Sequence, residues 1–210
     1  MKIKREACVG TYVEAIRAAE LGAERIELCD NLADGGTTPS YGTLALARRT
    51  IDAEIFPIIR PRGGGFVYSE EELQIMENDI QVCRELGIDG VVFGVLTPEN
   101  EIDVPAMRRL IECAGDMAVA CHLAFDLVPD RKKALDTLVE LGVIRTATTG
   151  SRERTPAIAN LDAIKETVEY AAGRIIIMPA RGVTKDNYLE IVEKTGVTEV
   201  HGTRIVGELK

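Results

Sequence analysis

Two short apolar runs of this chain each read Glu-x-Cys: Glu6-Ala7-Cys8 and Glu27-Leu28-Cys29. Residues two apart on a strand share a face, so each run would present a carboxylate and a thiol on the same side. The plainer reading of a buried cysteine is a small hydrophobe. An inward carboxylate is harder to treat as packing, because an unpaired buried charge is costly. Soft thiolates select Cu(I), which makes Cys8 and Cys29 candidate metal ligands if their strands are neighbours. No Cys-x-x-Cys and no Met-rich tract accompanies them.

The only two histidines, His122 and His201, each close an apolar run, and Phe125-Asp126 follows the first. Imidazole titrates near neutral pH. His122, His201, Glu6, Glu27 and Asp126 are therefore a candidate acid–base set, suited to proton abstraction beside a carbonyl in an isomerase or lyase step. A hard divalent ion between Glu27 and Asp126 is a further option.

Cations follow the third run, in Arg60-Pro61-Arg62-Gly63-Gly64-Gly65. Arg60 and Arg62 share a parity. They could neutralise the two glutamates or grip a ligand carboxylate or phosphate in bidentate fashion. Thr149 and Gly150, with Arg181 in the next such loop, could add hydroxyl, backbone and charge to an anion grip.

The elements that must position these groups are strand-like runs at 3–9, 25–29, 55–60, 90–95, 117–123, 144–148, 174–179 and 199–202. Amphipathic stretches separate them at 12–21, 43–51, 70–86, 104–113, 131–141, 160–171 and 188–194. A glycine suited to a helix C-terminus recurs before the next strand at Gly22, Gly87, Gly142 and Gly196. Ionisable residues gathered at strand ends, with helices between the strands, predict a parallel (β/α)8 TIM barrel with its site at the C-terminal face. A single domain over residues 1–210 is expected, with the last helix absent or vestigial, since only eight residues follow Gly202. A homodimer contact on that thinly covered side is expected. A doubly wound open sheet fits less well, because no G-x-G-x-x-G follows the first strand.

The formal charge of -9 argues against nucleic acid as a partner. No uncharged apolar stretch approaches the roughly 18 residues that span a bilayer, so no membrane partner is expected. Five cysteines without framework spacing suit a reducing cytoplasm.

Glu27-Leu28-Cys29-Asp30, Gly35-Gly36-Thr37-Thr38-Pro39-Ser40, Ile59-Arg60-Pro61-Arg62-Gly63-Gly64, Gly94-Val95-Leu96, His122-Leu123-Ala124-Phe125-Asp126 and Glu199-Val200-His201 together resemble the CutC family of copper homeostasis proteins. They lie in the same order over nearly the whole chain. The resemblance implies a cytoplasmic TIM barrel, often oligomeric, that binds Cu(I) through cysteines in some members. Leu123 stands where the family commonly has Arg, and Ala180-Arg181 partly replaces a glycine run. Arg181 could restore from another strand the charge lost at 123. The expected partner is thus a copper ion or, on the alternative reading, a small anionic metabolite.

Overall fold

Short strands of branched and small residues alternate with capped amphipathic helices, and that alternation sets the architecture. The computed structural model describes residues 2–209. The strands are β1 (Lys4–Val9), β2 (Arg25–Leu28), β3 (Glu54–Pro57), β4 (Gly90–Val92), β5 (Ala118–Cys121), β6 (Arg145–Thr148), β7 (Ile176–Pro179) and β8 (Glu199–Gly202). Between them lie α1 (Tyr12–Glu20), α2 (Tyr41–Thr50), α3 (Glu70–Glu85), α4 (Val104–Ala114), α5 (Arg131–Glu140), α6 (Leu161–Ala171) and α7 (Tyr188–Thr195). Thr11, Ser40, Ser69, Asp103 and Asp130 each accept a first-turn N–H at a helix start. Ser69 completes a capping box with Glu72. Gly22, Gly87, Gly142 and Gly196 take φ of 84°, 66°, 80° and 76°. That left-handed region is open to glycine without a Cβ clash, and it turns the chain from helix back to strand.

Every strand pairing is parallel, in two ladders ordered β3-β2-β1-β8 and β4-β5-β6-β7. A bridge between Ile58 and Val92 joins the ladders on one side. On the other side β7 packs beside β8, and Thr184 bridges Arg204 just beyond them. The result is the (β/α)8 barrel. Among the described residues no helix follows β8. The segment after it lies against the body instead, with Ile205 buried and Val206 and Leu209 packed on the core.

Three strands end two or three residues earlier than their apolar runs. β3 stops at Pro57, β4 at Val92 and β5 at Cys121. Proline has no N–H to donate to a ladder, so after Pro57 the chain keeps one bridge and then bends. Strand parity therefore carries from Ile58 to Arg60, which both face the lumen, but does not reach Arg62. The helices match their sequence patterns to within two residues at each end.

Gly90 opens β4 where the lumen is tightest. A Cβ there would overlap both the Phe56 ring and the Ala118 carbonyl. Gly90→Ala is expected to lose about 1–3 kcal/mol of stability through overpacking, read as a lower urea midpoint with an unchanged m-value.

Candidate functional site

Register brings the lumen charges together. Glu6 on β1 pairs with Arg25 on β2 and with His201 on β8. The fully buried Arg25 donates from Nε to Glu6 and from Nη2 to Glu199. Arg145 on β6 stands 3.7 Å from Glu6 and 3.5 Å from Glu199, an attraction across a gap too long for good hydrogen bonds. Both guanidinium groups lie over the Phe56 ring, at 5.3 and 4.4 Å. Burial alone would raise the Glu6 carboxyl, but Arg25 and His201 hold it well below the usual carboxylate range. Sequence reading did not single out Arg25, Arg145 or Glu199. Strand parity was the available signal, because Arg25 shares the face of Glu27, Glu199 that of His201, and Arg145 that of the inward Ala147.

His201 links this network to the cavity above it. Its Nδ1 donates to Glu6 Oε1 at 2.7 Å, and its Nε2 lies 3.5 Å from Glu27 Oε2. Burial opposes charge on this ring, yet Glu27, Cys8 and Glu6 together raise it well above the ordinary histidine range. It is an imidazolium at neutral pH. Glu27 itself is raised, chiefly by burial.

Across from Glu27 the two thiols meet. Ligand atoms of Cys8, Glu27 and Cys29 all lie within 4.8 Å of one another, and all three residues are buried. Ile58 and Leu32 pack the thiols from the side. Gly36, at φ 88°, lets the β2–α2 loop pass over Cys29, where a Cβ would come within 3.2 Å of the sulfur. Contact with Cys29, burial and the Glu27 charge raise the Cys8 thiol far above its usual range. A bond from Cys8 lowers Cys29, but burial and Glu27 outweigh it and push that thiol up to about 11. Both are therefore protonated at neutral pH. The donor set, two thiols beside a carboxylate, suits a soft metal by the chemistry of its sulfur ligands. Occupation would displace the thiol protons.

These groups line one side of a cavity of about 550 Å³ at the C-terminal mouth of the barrel. The other side carries Arg60, Phe66, His122, Arg154 and Arg181. His122 accepts from the Ala124 N–H at Nδ1 (3.2 Å), so its proton is on Nε2, which has no partner. Burial, reinforced by Arg60 and Arg154, pushes this ring down to about 3 and keeps it neutral.

Several sequence candidates are not brought to the cavity. Arg60 and Arg62 separate, because the backbone bends after Pro57. Arg60 lines the cavity, but it donates to the carbonyls of Asp34 (2.9 Å), Gly36 (2.8 Å) and Gly64 (2.6 Å) and so staples two loops. Arg62 is exposed, pairs with Glu72 and donates to the Val67 carbonyl. Asp126 is fully buried away from Glu27. It accepts from Thr148 Oγ1, the Thr149 N–H (2.8 Å) and Thr149 Oγ1 (2.8 Å), which ties the turn after β5 to the end of β6. Thr149 is spent on that bond. The Gly150 N–H donates to Thr148 Oγ1 at 2.9 Å. Neither residue lines the cavity, so the anion grip expected there is not formed by them. Arg181 does line it, with Arg154, which lies in an irregular loop and gave no sequence signal.

A family model described as the CutC family matches residues 3–206. A CutC family protein from Parabacteroides distasonis is 46% identical over 202 residues, covering 96% of this chain and 82% of its own. A human protein described as a copper homeostasis protein cutC homolog is 42% identical over 196 residues, covering 93% and 71%. The crystal structure of a CutC protein from Streptococcus agalactiae superposes with a TM-score of 0.93 at 45% identity, covering 97% of this chain and 99% of that one.

Two outcomes test this site. Arg25→Met would leave Glu6 and Glu199 buried without their principal counter-charge, and is expected to lose about 3–5 kcal/mol in urea denaturation. The two imidazoles should show different charge states by nitrogen-15 NMR. At pH 7, His122 should appear as the neutral Nε2–H tautomer and His201 with both nitrogens protonated. Lowering the pH from 7 to 5 should leave both signals in place.

Proposed function

The chain belongs to the CutC family, and on that premise we propose that it is a copper homeostasis protein that takes Cu(I) between Cys8 and Cys29. The observation that carries this reading is the buried Cys8–Glu27–Cys29 group, whose ligand atoms lie within 4.8 Å. The human relative's name supports copper as the cargo. Cys8 ends the Glu6–Cys8 face of β1, and Cys29 follows β2 directly, so a rigid ladder sets their spacing. Glu27 stands between the thiols and His201 as a third donor or as a proton acceptor. Among the described residues no helix is long and apolar enough to cross a membrane. Exposed Val13 on α1 and Leu189 on α7 support a homodimer contact through that face.

A second reading uses the same cavity for acid–base chemistry of isomerase or lyase type on a small anionic metabolite. It is supported by the pairing of an imidazolium, His201, with a carboxyl of raised proton affinity, Glu27, at 3.5 Å. The carboxyl and the imidazolium would act side by side as proton acceptor and proton donor.

Anaerobic Cu(I) titration against a competing chelator separates the possibilities. The wild-type protein should bind one equivalent, and Cys8→Ser with Cys29→Ser should abolish stoichiometric binding. Glu27→Gln should weaken binding by about 10–100-fold. Apparent affinity should rise with pH, because the thiol protons must leave. Undiminished binding by the double-serine variant would remove the assignment.

A further inference from the structure

The cationic side of the cavity is used by neither the thiols nor the His201–Glu27 pair. We propose that it is a binding site for a small oxyanion, a carboxylate or a phosphate monoester, held by the guanidinium groups of Arg154 and Arg181 and by the Nε2–H of His122. This deepens the acid–base reading by giving its anionic ligand a location, and it is independent of copper.

The two loops that supply the arginines are fixed to each other. The Ala157 N–H donates to the Arg181 carbonyl at 3.0 Å. Gly182 packs so closely on Pro156 that a Cβ would come within 2.8 Å of that ring. Arg154 and Arg181 both adopt left-handed backbone, at φ 52° and 68°, and both side chains line the cavity. Among the described residues neither guanidinium has an ion-pair partner within 4.0 Å or a hydrogen-bond acceptor. The nearby carboxylates are engaged elsewhere: Asp126 by Thr148 and Thr149, Glu27 beside His201, and Asp34 by Asn31 at 2.6 Å.

The decisive group is His122. It is 6% exposed, it lines the cavity, and its Nε2 is a buried donor with no acceptor. Leaving such a donor unmet costs about 1–3 kcal/mol. The Nε of Arg60, on the same wall, is likewise unmet. Phe66 forms the floor beneath these groups, with the His122 ring at 4.7 Å and the Arg60 and Arg154 guanidiniums at 5.1 and 5.2 Å from its centre. An apolar floor under converging donors, in a cavity of about 550 Å³, suits a small ligand. Planar guanidinium forks select carboxylate and phosphate oxygens. Burial, Arg181 and Arg60 lower the proton affinity of Arg154 against an attraction from Asp126, and an anion would add to that attraction.

Calorimetric titration with inorganic phosphate and, separately, with malonate tests the site and tells which oxyanion it prefers. Saturable binding of at least one is expected, weakened about 10–100-fold by Arg154→Met and by Arg181→Met, with circular dichroism unchanged. The His122 Nε2–H resonance should move on saturation. The Cys8→Ser, Cys29→Ser variant should keep the anion, and both arginine variants should keep Cu(I). Absence of saturable binding, equal binding by the arginine variants, or an unmoved His122 resonance would overturn the inference while leaving the copper assignment and the His201–Glu27 pair standing.

Discussion

Everything at the mouth of this barrel depends on how the charge of Glu6 is met inside the lumen. A carboxylate with 1% exposure is tolerable only if cations surround it, and parallel register delivers them. Arg25 sits beside it on one neighbouring strand and His201 on the other. Arg145 balances Glu199 from across the barrel. Removing Arg25 would leave Glu6 and Glu199 without the cation both bond to directly. The network therefore fixes a strand register and the orientation of His201 together, so the site inherits its geometry from the core.

From that base the cavity acquires two poles. On the side of β1, β2 and β8, carboxylates raise the His201 imidazole, and the same negative field, with burial, raises both thiols. On the side formed by the loops after β3, β5, β6 and β7, burial and arginines drive His122 to its neutral form. Two identical side chains in one cavity thus differ in charge, one neutral and one cationic, set by their neighbours alone. One pole offers soft sulfur beside a carboxylate, and the other offers donors without acceptors.

The regular parts of this arrangement were legible in the sequence, and the irregular parts were not. Alternation along β1 and β2 placed Glu6, Cys8, Glu27 and Cys29 on the inner face, because a strand buried on both sides cannot hide a charge outward. The same rule applied to Arg25, Arg145 and Glu199 would have exposed the ion network. The rule failed for Arg62, because Pro57 ends the ladder and the backbone bends beyond Arg60. Asp126 and Thr149 looked available for ligand, but tertiary contact sets them against each other across two loops. Arg154 was invisible because its position depends on how the loops after β6 and β7 pack, and no local periodicity encodes that.

The two poles are also coupled through charge. Replacing two thiol protons by one monovalent cation makes the sulfur side one unit more negative, next to a Glu27 carboxyl whose proton affinity burial has already raised. His201, pinned to Glu6, supplies a positive charge that stays in place during that change. Without it, two thiolates beside Glu27 would concentrate negative charge in a poorly solvated space, where such charges interact strongly. The cationic loops across the same cavity offset it at longer range. The buried Glu6–His201 contact is thus the feature that would let protonated thiols take up the proposed metal.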